Sequence, residues 1–339
     1  MEIKTLGDIS KGRDNNLALV KLIAAILVIY SHSYPITGHG EDLISRISNG
    51  QMGWGSFAVS IFFFYGGFLI MKSAERRNTF GGYFKARCLR IFPQLWMVVL
   101  ACVFVVGPIF TSLSPGDYFS DFGTWKYLLN GVFVLVHELP GVFTNNIYGA
   151  TVNGPLWTLP VEFICYILCF IYFKLGLAKE KKTLIAAPIV FIGGIGAWLI
   201  LASSPLLQSM FRPMMFFFIG MAYYILRDKI RVRLGIVIIA LALMIISLVF
   251  GFYFVAIYLT LPYILVYVGF GLPFSTDKWM RHFEVSYGAY LTAWPVQQIL
   301  MSLTGGMSQM LNFLIATFVA LILGFVMSKA DGAINKLFK

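Results

Sequence analysis

Charged side chains are scarce in this chain, and their scarcity excludes a soluble globular protein. Only 12% of the 339 residues are Asp, Glu, Lys or Arg, whereas 59% are hydrophobic. A soluble domain has no interior large enough to bury that much apolar surface, but a lipid bilayer can take it up. No long polar stretch separates the apolar segments. We therefore predict an all-α fold, a polytopic helical bundle that forms a single membrane domain over residues 1–339.

The common signatures of soluble catalysis and of metal binding are also missing. The sequence has no phosphate-binding P-loop, no Gly-x-Ser-x-Gly elbow and no cluster of metal ligands, so we expect no metal. The few cysteines lie in or beside apolar segments without the spacing of a metal site. This placement favours a role as small packing residues. They are Cys88, Cys102, Cys165 and Cys169.

Long apolar runs are what the sequence has in abundance. A helix needs about 20 apolar residues to cross a bilayer, and about ten runs meet this length. The predicted spans are 16–35, 54–72, 89–110, 156–174, 183–201, 210–226, 234–250, 253–272, 285–302 and 309–328.

The positive charge is distributed unevenly between the connecting segments. The net charge is +11, and of the 26 Lys and Arg residues only Arg46 and Lys126 fall in predicted outer segments. Lys21 and Arg212 fall within spans, and the others lie in alternate segments at the cytoplasmic face. This is the positive-inside pattern and not a nucleic-acid footprint. It predicts cytoplasmic N- and C-termini, a location in the cell inner membrane and no nucleic-acid partner.

The first span, "NNLALVKLIAAILVIYSHSY", carries two ionisable groups that are costly to place in hydrocarbon. A step of eleven residues is close to three helical turns, so Lys21 and His32 share a face and lie ~16 Å apart along the axis. Lys21 can extend its amine to the cytoplasmic surface. His32, in the outer half, is a candidate catalytic residue, although a membrane histidine can also serve only as a hydrogen bond between helices.

The third span opens with "FKARCLRIFPQLW", which places two arginines at the cytoplasmic entrance. Arg87 and Arg90 are three residues apart and therefore share a helix face. Other basic residues precede them in the same loop, and such a cluster suits a ligand with several phosphates. The alternative is that these arginines only anchor the span.

The fourth span begins "NGPLWTLPVEFICY" and contains a carboxylate a turn or two below the outer surface. At that depth Glu162 must be paired, protonated or functional. Its expected depth resembles that of His32, so a Glu–His pair is possible, as is a structural pair between helices. Arg212, in "MFRPMMFFF", can hold an acceptor or reach lipid headgroups. The outer segment, about 111–155, includes a stretch that can form an amphipathic helix on the membrane surface.

Five motifs in sequence resemble the acyltransferase family 3 membrane proteins, especially the polysaccharide O-acetyltransferase branch. They are the basic-x10-His element of Lys21 and His32, "FFFYGGFLI", "RCLRIFP", "NGPLWTLPVEF" and "VSYGAYLTAWPVQQ", and the likeness runs from about residue 13 to 299. The chain departs from the family pattern at Tyr65-Gly66, where serine-glycine is usual, and at Ala293, where histidine is common. We expect no SGNH hydrolase-like domain of the kind that some members carry.

The resemblance implies acetyl transfer from cytoplasmic acetyl-CoA to a hydroxyl of a surface polysaccharide, such as O-antigen or exopolysaccharide, or of its lipid-linked precursor. It implies His32 as general base or acetyl carrier, with Glu162 orienting the ring. Arg87 and Arg90, helped by Lys21, would hold the phosphates of coenzyme A. Aromatic faces and amides suit a carbohydrate, so the expected acceptor contacts are Trp157, Trp294, Gln297 and Gln298, together with Arg212. The alternative for the aromatic and amide residues is a role in packing or at the membrane interface.

Two further readings of the sequence remain open. A transporter or flippase of a glycan or glycolipid also carries charges near the membrane midplane, although no related halves or interrupted helices are evident. A non-catalytic scaffold in a polysaccharide assembly complex is the other. Membrane lipids are expected partners in every case, and a homo-oligomer is possible.

Overall fold

The computed structural model describes residues 4–12, 14–200, 204–280 and 283–337. This part of the chain is all-helical and contains only isolated β-bridges in place of strands. Three of the basic residues behind the predicted orientation, Arg13, Arg281 and Lys339, lie outside the described residues, as do the first and last residues of the predicted domain.

A long helix forms at the position of each predicted span. The helices are α1 (Leu17–Ile36), α2 (Trp54–Arg77), α3 (Phe80–Ala101), α4 (Thr158–Lys174), α5 (Glu180–Ile200), α6 (Pro205–Ile225), α7 (Leu234–Val249), α8 (Tyr253–Val266), α9 (Ser286–Thr304) and α10 (Gln309–Leu337). Helix α3 continues through a π-helical turn, Cys102–Val106, and α8 through another, Tyr267–Gly271. A 3-10 turn, Gly154–Trp157, precedes α4.

Among the described residues, six helices are long and apolar enough to cross a membrane. They are Leu17–Ile36, Trp54–Arg77, Phe80–Phe110, Gly154–Lys174, Tyr253–Gly271 and Gln309–Asn335. Helix α7 is not among the six because it is apolar but shorter. Helix α9 is also outside the six, and its apolar sequence is interrupted by the adjacent amides of Gln297 and Gln298. The chain is thus a multi-pass membrane protein. The number of about ten crossings and the cytoplasmic termini stay predictions.

The chain forms two compact units, each assembled from separated segments. Unit 1 consists of Met1–Ala24, Ile44–Tyr83 and Val161–His282, and unit 2 of Ala25–Leu43, Phe84–Pro160 and Phe283–Lys339. The segments of the two units alternate along the sequence. The prediction of a single domain stays a prediction.

In unit 1, α2 and α6 pack with their backbones in close approach. A Cβ placed on Gly67 would lie 1.9 Å from the carbonyl oxygen of Phe217, and one on Gly220 would lie 2.0 Å from that of Phe64. Glycines allow this approach because they have no side chain, which is a common way for membrane helices to pack. Arg212 reaches the residues just before α2, and Tyr224, near the end of α6, bonds to Glu75 near the end of α2. The two helices therefore run parallel.

In unit 2, α9 and α10 form an antiparallel pair. The Gln297 carbonyl accepts a hydrogen bond from the Asn312 amide at 3.2 Å, and a Cβ on Gly324 would lie 2.6 Å from the Val285 carbonyl. Small residues such as Ala289 and Ala320 fill the contact, and the C-terminal half of α1 packs onto it. The buried cluster is Ile29, Ala289, Ala293, Val296, Ala316 and Ala320.

The segment of about 111–155 does not form one amphipathic helix. It begins with short helices, Pro115–Ser120 and Phe122–Lys126, and a 3-10 turn, Tyr127–Val132. Phe133 then takes a left-handed conformation, with φ of 68°, which ends the helical path. The rest is irregular, with several turns. Its start is held by the Asn130 side chain, which bonds to both backbone groups of Val136.

Candidate active site

His32 lies in the C-terminal half of α1 and belongs to unit 2. Its ring meets the ring of Trp294 edge to face, with centroids 4.9 Å apart. The Nδ1 atom is buried and has no hydrogen-bond partner among the described residues. The residue as a whole is partly exposed. Any access to the imidazole therefore comes from an edge other than Nδ1.

The unpaired Nδ1 has an energetic cost. A buried polar atom without a partner destabilises a protein by about 1–3 kcal/mol. Such costs persist mainly where a ligand, a water molecule or a proton completes the arrangement. An imidazole that is held by packing, and not by hydrogen bonds, is not committed to one tautomer by a protein partner, which suits a group that transfers protons.

Trp294 is held in place from three sides. Its Nε1–H donates to the Thr151 carbonyl at 3.0 Å, and the ring of Tyr148 meets it edge-on at 4.8 Å. A Cβ on Gly154 would lie 3.2 Å from the indole, so a larger residue there would press on it. The segment before α4 thus fixes the ring against which His32 rests.

Amide side chains of α9 and α10 form a buried network on the same side of unit 2. Gln297 donates to the Ile29 carbonyl at 3.0 Å, while its Oε1 is buried and unpaired within the described part of the chain. Gln309 donates to the Ser33 hydroxyl at 2.6 Å, and Asn312 donates to the Gln297 carbonyl. Gln309 and Asn312 were not predicted as site residues. The feature that could have marked them is a polar amide inside an apolar span.

Gln298 has a structural role, in contrast to Gln297. Its amide nitrogen donates to the carbonyls of Gly149 and Thr151 at 3.0 and 2.9 Å, and its Oε1 accepts from Asn146 at 2.9 Å. These bonds tie α9 to the segment before α4. Trp157, at the end of the 3-10 turn, is partly exposed.

A buried carboxylate lies near the end of α1. Asp42 is 4% exposed and accepts a hydrogen bond from the Ser31 hydroxyl at 2.8 Å. Ser31, the residue before His32, is thus bonded to Asp42. Asp42 was not predicted from the sequence as a site residue. The one sign of it was its acidic side chain in the short segment after the first span.

The two arginines of the third span lie in α3, within unit 2. The Arg90 guanidinium carbon lies 5.3 Å from the centroid of the Tyr287 ring, and its charge acts on the buried carboxylate of Asp331. Asp331 also accepts from Gln94 at 3.3 Å and from Asn335 at 2.9 Å. The predicted span ended at residue 328, whereas α10 continues to Leu337. Asp331 was therefore missed.

The other predicted site residues lie in unit 1. Glu162, in α4, accepts a hydrogen bond from the Tyr166 hydroxyl one turn later. Lys21 lies in the N-terminal part of α1 and is partly exposed. Arg212 lies in α6 near the residues before α2. The pairing of Glu162 with His32 and the role of Lys21 stay predictions.

The helices define the class of the protein, a multi-pass membrane protein, and comparison with known sequences gives the family. A family model described as "Acyltransferase domain" matches residues 14–329. The chain therefore belongs to the acyltransferase family 3, as its motifs suggested.

Two curated relatives agree with this assignment. The chain is 29% identical over 301 residues to the "O-acetyl transferase" of Shigella phage Sf6, which covers 86% of each protein. It is 25% identical over 234 residues to "Nodulation protein 10" of Rhizobium leguminosarum bv. viciae, covering 66% of this chain and 61% of that protein. No solved structure matches the chain.

Proposed function

We propose that this protein is an O-acetyltransferase of the cell inner membrane. It moves an acetyl group from cytoplasmic acetyl-CoA to a hydroxyl of a surface polysaccharide or of its lipid-linked precursor. The similarity to a protein named O-acetyl transferase along 86% of both chains supports the reaction. The observation that carries the proposal is the imidazole of His32, packed on Trp294 with its Nδ1 unpaired among the described residues.

The proposed chemistry is acyl transfer with His32 as general base. The imidazole takes the proton of the acceptor hydroxyl as its oxygen attacks the thioester carbonyl. The carbon–sulfur bond then breaks, and the thiolate of coenzyme A receives a proton from the imidazolium. In the alternative, the ring itself attacks the thioester and carries the acetyl group to the hydroxyl. Both sequences end with an acetyl ester and a free thiol.

Arg87 and Arg90 are the proposed contacts for the phosphates of the donor. Guanidinium groups bind phosphate oxygens through paired, charge-assisted hydrogen bonds. Tyr287 lies under the Arg90 guanidinium and leaves its N–H groups free to point elsewhere. Lys21 is a further proposed phosphate contact. Asp331 is a positioning residue in this scheme, because its carboxylate acts on Arg90.

The proposed acceptor contacts combine aromatic faces with an amide and a cation. Trp157 is partly exposed and offers a surface suited to a sugar ring. Trp294 and Gln297 are proposed contacts from the interior of unit 2, where both are buried and the Gln297 Oε1 has no partner in the described part of the chain. Arg212 is the proposed contact for a charged group of the acceptor. Glu162 is proposed to support the charged form of the imidazole, which its carboxylate chemistry permits.

The decisive experiment uses the purified full-length chain in detergent with radiolabelled acetyl-CoA, alongside mass spectrometry of surface glycans from cells with and without the gene. Label transfer and gene-dependent O-acetylation are the expected results. His32→Ala is expected to abolish both while coenzyme A binding persists, and the matched control is His39→Ala at an exposed histidine. Unchanged glycan acetylation in the His32→Ala strain would refute the catalytic role.

A further inference from the structure

Arg212 is a charged residue inside a predicted span, and its partners are neutral. It lies two turns into α6, and its Nη2–H donates to the Gln51 carbonyl at 2.7 Å. Its Nη1 lies 3.3 Å from the sulfur of Met52, a weak acceptor. No carboxylate of the described chain forms an ion pair with it. A guanidinium in apolar surroundings is costly without a counter-charge.

The remaining edge of the guanidinium is buried and unused. The Nε atom of Arg212 has no accessible surface and no hydrogen-bond partner among the residues that the structure describes. Elsewhere in unit 1, Arg227 offers a contrast, since it lies 3.7 Å from the Glu75 carboxylate. Arg227, just beyond α6, thus has a counter-charge that Arg212 lacks.

A second unpaired donor lies beside this guanidinium. Tyr258 is 3% exposed, and its hydroxyl is buried without a hydrogen-bond partner in the described part of the chain. Phe254 brings the two groups together: its ring centroid lies 5.4 Å from the Arg212 Cζ atom and 5.7 Å from the centroid of the Tyr258 ring, which it meets edge to face. Arg212 interacts with the oxygen of the Tyr258 hydroxyl, but neither the Tyr258 O–H nor the Arg212 Nε–H makes a well-aligned hydrogen bond among the described residues. The side chains thus present one positive charge and two donors without an acceptor.

The backbone around these side chains is fixed. The Gln51 side chain accepts from the Phe254 N–H at 3.0 Å and donates to the Gly251 carbonyl at 3.0 Å. These bonds tie the residues before α2 to the start of α8, and Arg212 is tied to the same residues through the Gln51 carbonyl. Donors held by such a frame lose little freedom when a ligand binds, which favours affinity.

We propose that Arg212 and Tyr258 form a binding site for one phosphate group. A phosphate supplies the missing negative charge and has enough oxygens to accept from Arg212 Nε and from the Tyr258 hydroxyl together. The proposal gives a ligand chemistry to Arg212, which is also a proposed acceptor contact, and phosphate binding there does not depend on acetyl transfer taking place. A phosphate can reach it on an anionic phospholipid or on a soluble phosphate-bearing ligand, and the experiment separates these sources.

The test measures binding to the purified full-length chain in a neutral detergent, by thermal unfolding and by titration. One arm adds phosphatidic acid, with diacylglycerol as the lipid that lacks the phosphate. The other arm adds inorganic pyrophosphate, with sodium chloride at equal ionic strength. The variants are Arg212→Gln and Tyr258→Phe, and the matched control is Arg46→Gln at an exposed arginine of unit 1.

The expected result is stabilisation of the wild-type chain and of Arg46→Gln by at least one phosphate probe. Binding should weaken by about tenfold or more in Arg212→Gln and by about threefold in Tyr258→Phe, as expected for lost hydrogen bonds to a charged group. A response to phosphatidic acid alone identifies the lipid as the source, and a response to pyrophosphate identifies the soluble ligand.

Tyr258→Phe keeps the proposal testable even if Arg212→Gln does not fold. The Tyr258 O–H has no acceptor in the described structure, and the interaction of its oxygen with Arg212 is too poorly aligned to count as a hydrogen bond, so its removal should change the stability of the free protein little. Wild-type affinity for both probes in Tyr258→Phe would overturn the two-donor site. Absence of any phosphate-specific stabilisation in the wild-type chain would overturn the proposal as a whole.

Discussion

The imidazole of His32 and the indole of Trp294 meet at 77°, with 4.9 Å between their centroids. The indole is in turn held by the Thr151 carbonyl through its N–H. Because packing and not hydrogen bonding holds the imidazole, the position of the catalytic candidate depends on this one neighbour. Edge-to-face aromatic pairs of this type contribute about 0.5–1.5 kcal/mol beyond their buried area.

The first prediction concerns Trp294→Phe. The smaller ring cannot bond to Thr151 and leaves space beside the imidazole, so His32 loses its fixed orientation. We expect kcat to fall by about tenfold, in line with the sensitivity of catalysis to small misplacements, with unchanged coenzyme A affinity. Steady-state kinetics with labelled acetyl-CoA checks this. The control is Trp125→Phe in the exposed segment, and equal rates in both variants would contradict a positioning role.

The second prediction concerns the arginine pair of α3. Arg87→Ala with Arg90→Ala should weaken coenzyme A binding by about 100-fold or more, because each charge-assisted bond to phosphate contributes roughly 1.5–3 kcal/mol. Isothermal titration with coenzyme A measures the affinity. Lys126→Ala, at an exposed basic position of unit 2 outside this cluster, is the control and should bind normally. Normal affinity in the double variant would remove the proposed donor site.

Asp331 allows the positioning argument to be tested separately. Asp331→Asn keeps the size of the side chain and one of the two oxygens that accept from Gln94 and Asn335, but it removes the charge that acts on Arg90. We expect KM for acetyl-CoA to change by about threefold or more, since losing a nearby charge alters an electrostatic interaction, with kcat nearly constant. A change in kcat with constant KM would contradict the proposal that Asp331 positions Arg90 for the donor.

The helices were predictable from the sequence, but the partners of the site residues were not. Apolar runs of about 20 residues mark the helix positions, and a long helix forms at each of them. The eleven-residue step shows that Lys21 and His32 share a face, yet it cannot say which helix covers that face. The contact between Trp294 and His32 joins two helices that are far apart in the sequence. The periodicity of a single helix does not show which other helix packs against it.

The errors in the sequence reading have local causes. A continuous amphipathic helix was expected in the 111–155 segment, but Phe133 takes a left-handed conformation that ends the helical path. The last span was predicted to end at residue 328, because the final turns of the helix are polar. Asp331 therefore lay outside the predicted span, although the helix continues to Leu337. Hydropathy detects neither a backbone reversal nor a carboxylate that is buried near the end of a span.

Glu162 gives the fourth prediction. Glu162→Gln keeps the shape of the side chain and its capacity to accept from Tyr166, but it removes the carboxylate charge. If that charge stabilises the imidazolium during transfer, kcat should fall by about tenfold or more. A loss of one pKa unit at the imidazole corresponds to about 1.4 kcal/mol, which is a tenfold change in rate. Tyr166→Phe is the control, since it removes the same hydrogen bond and leaves the charge. A near-normal rate in Glu162→Gln with a slow Tyr166→Phe would make the carboxylate structural.

The last prediction tests the packing of unit 1 with two adjacent glycines. A Cβ at Gly67 would lie 1.9 Å from the Phe217 carbonyl oxygen, which belongs to the backbone of α6 and cannot turn away. A Cβ at Gly66 would lie 3.6 Å from the Phe217 ring, an ordinary contact. Gly67→Ala should therefore lower the free energy of unfolding by about 3 kcal/mol or more, whereas Gly66→Ala should change it by less than about 1 kcal/mol. Thermal unfolding of the purified variants in detergent compares them directly, and similar stabilities would show that α2 and α6 do not approach as closely as the structure has them.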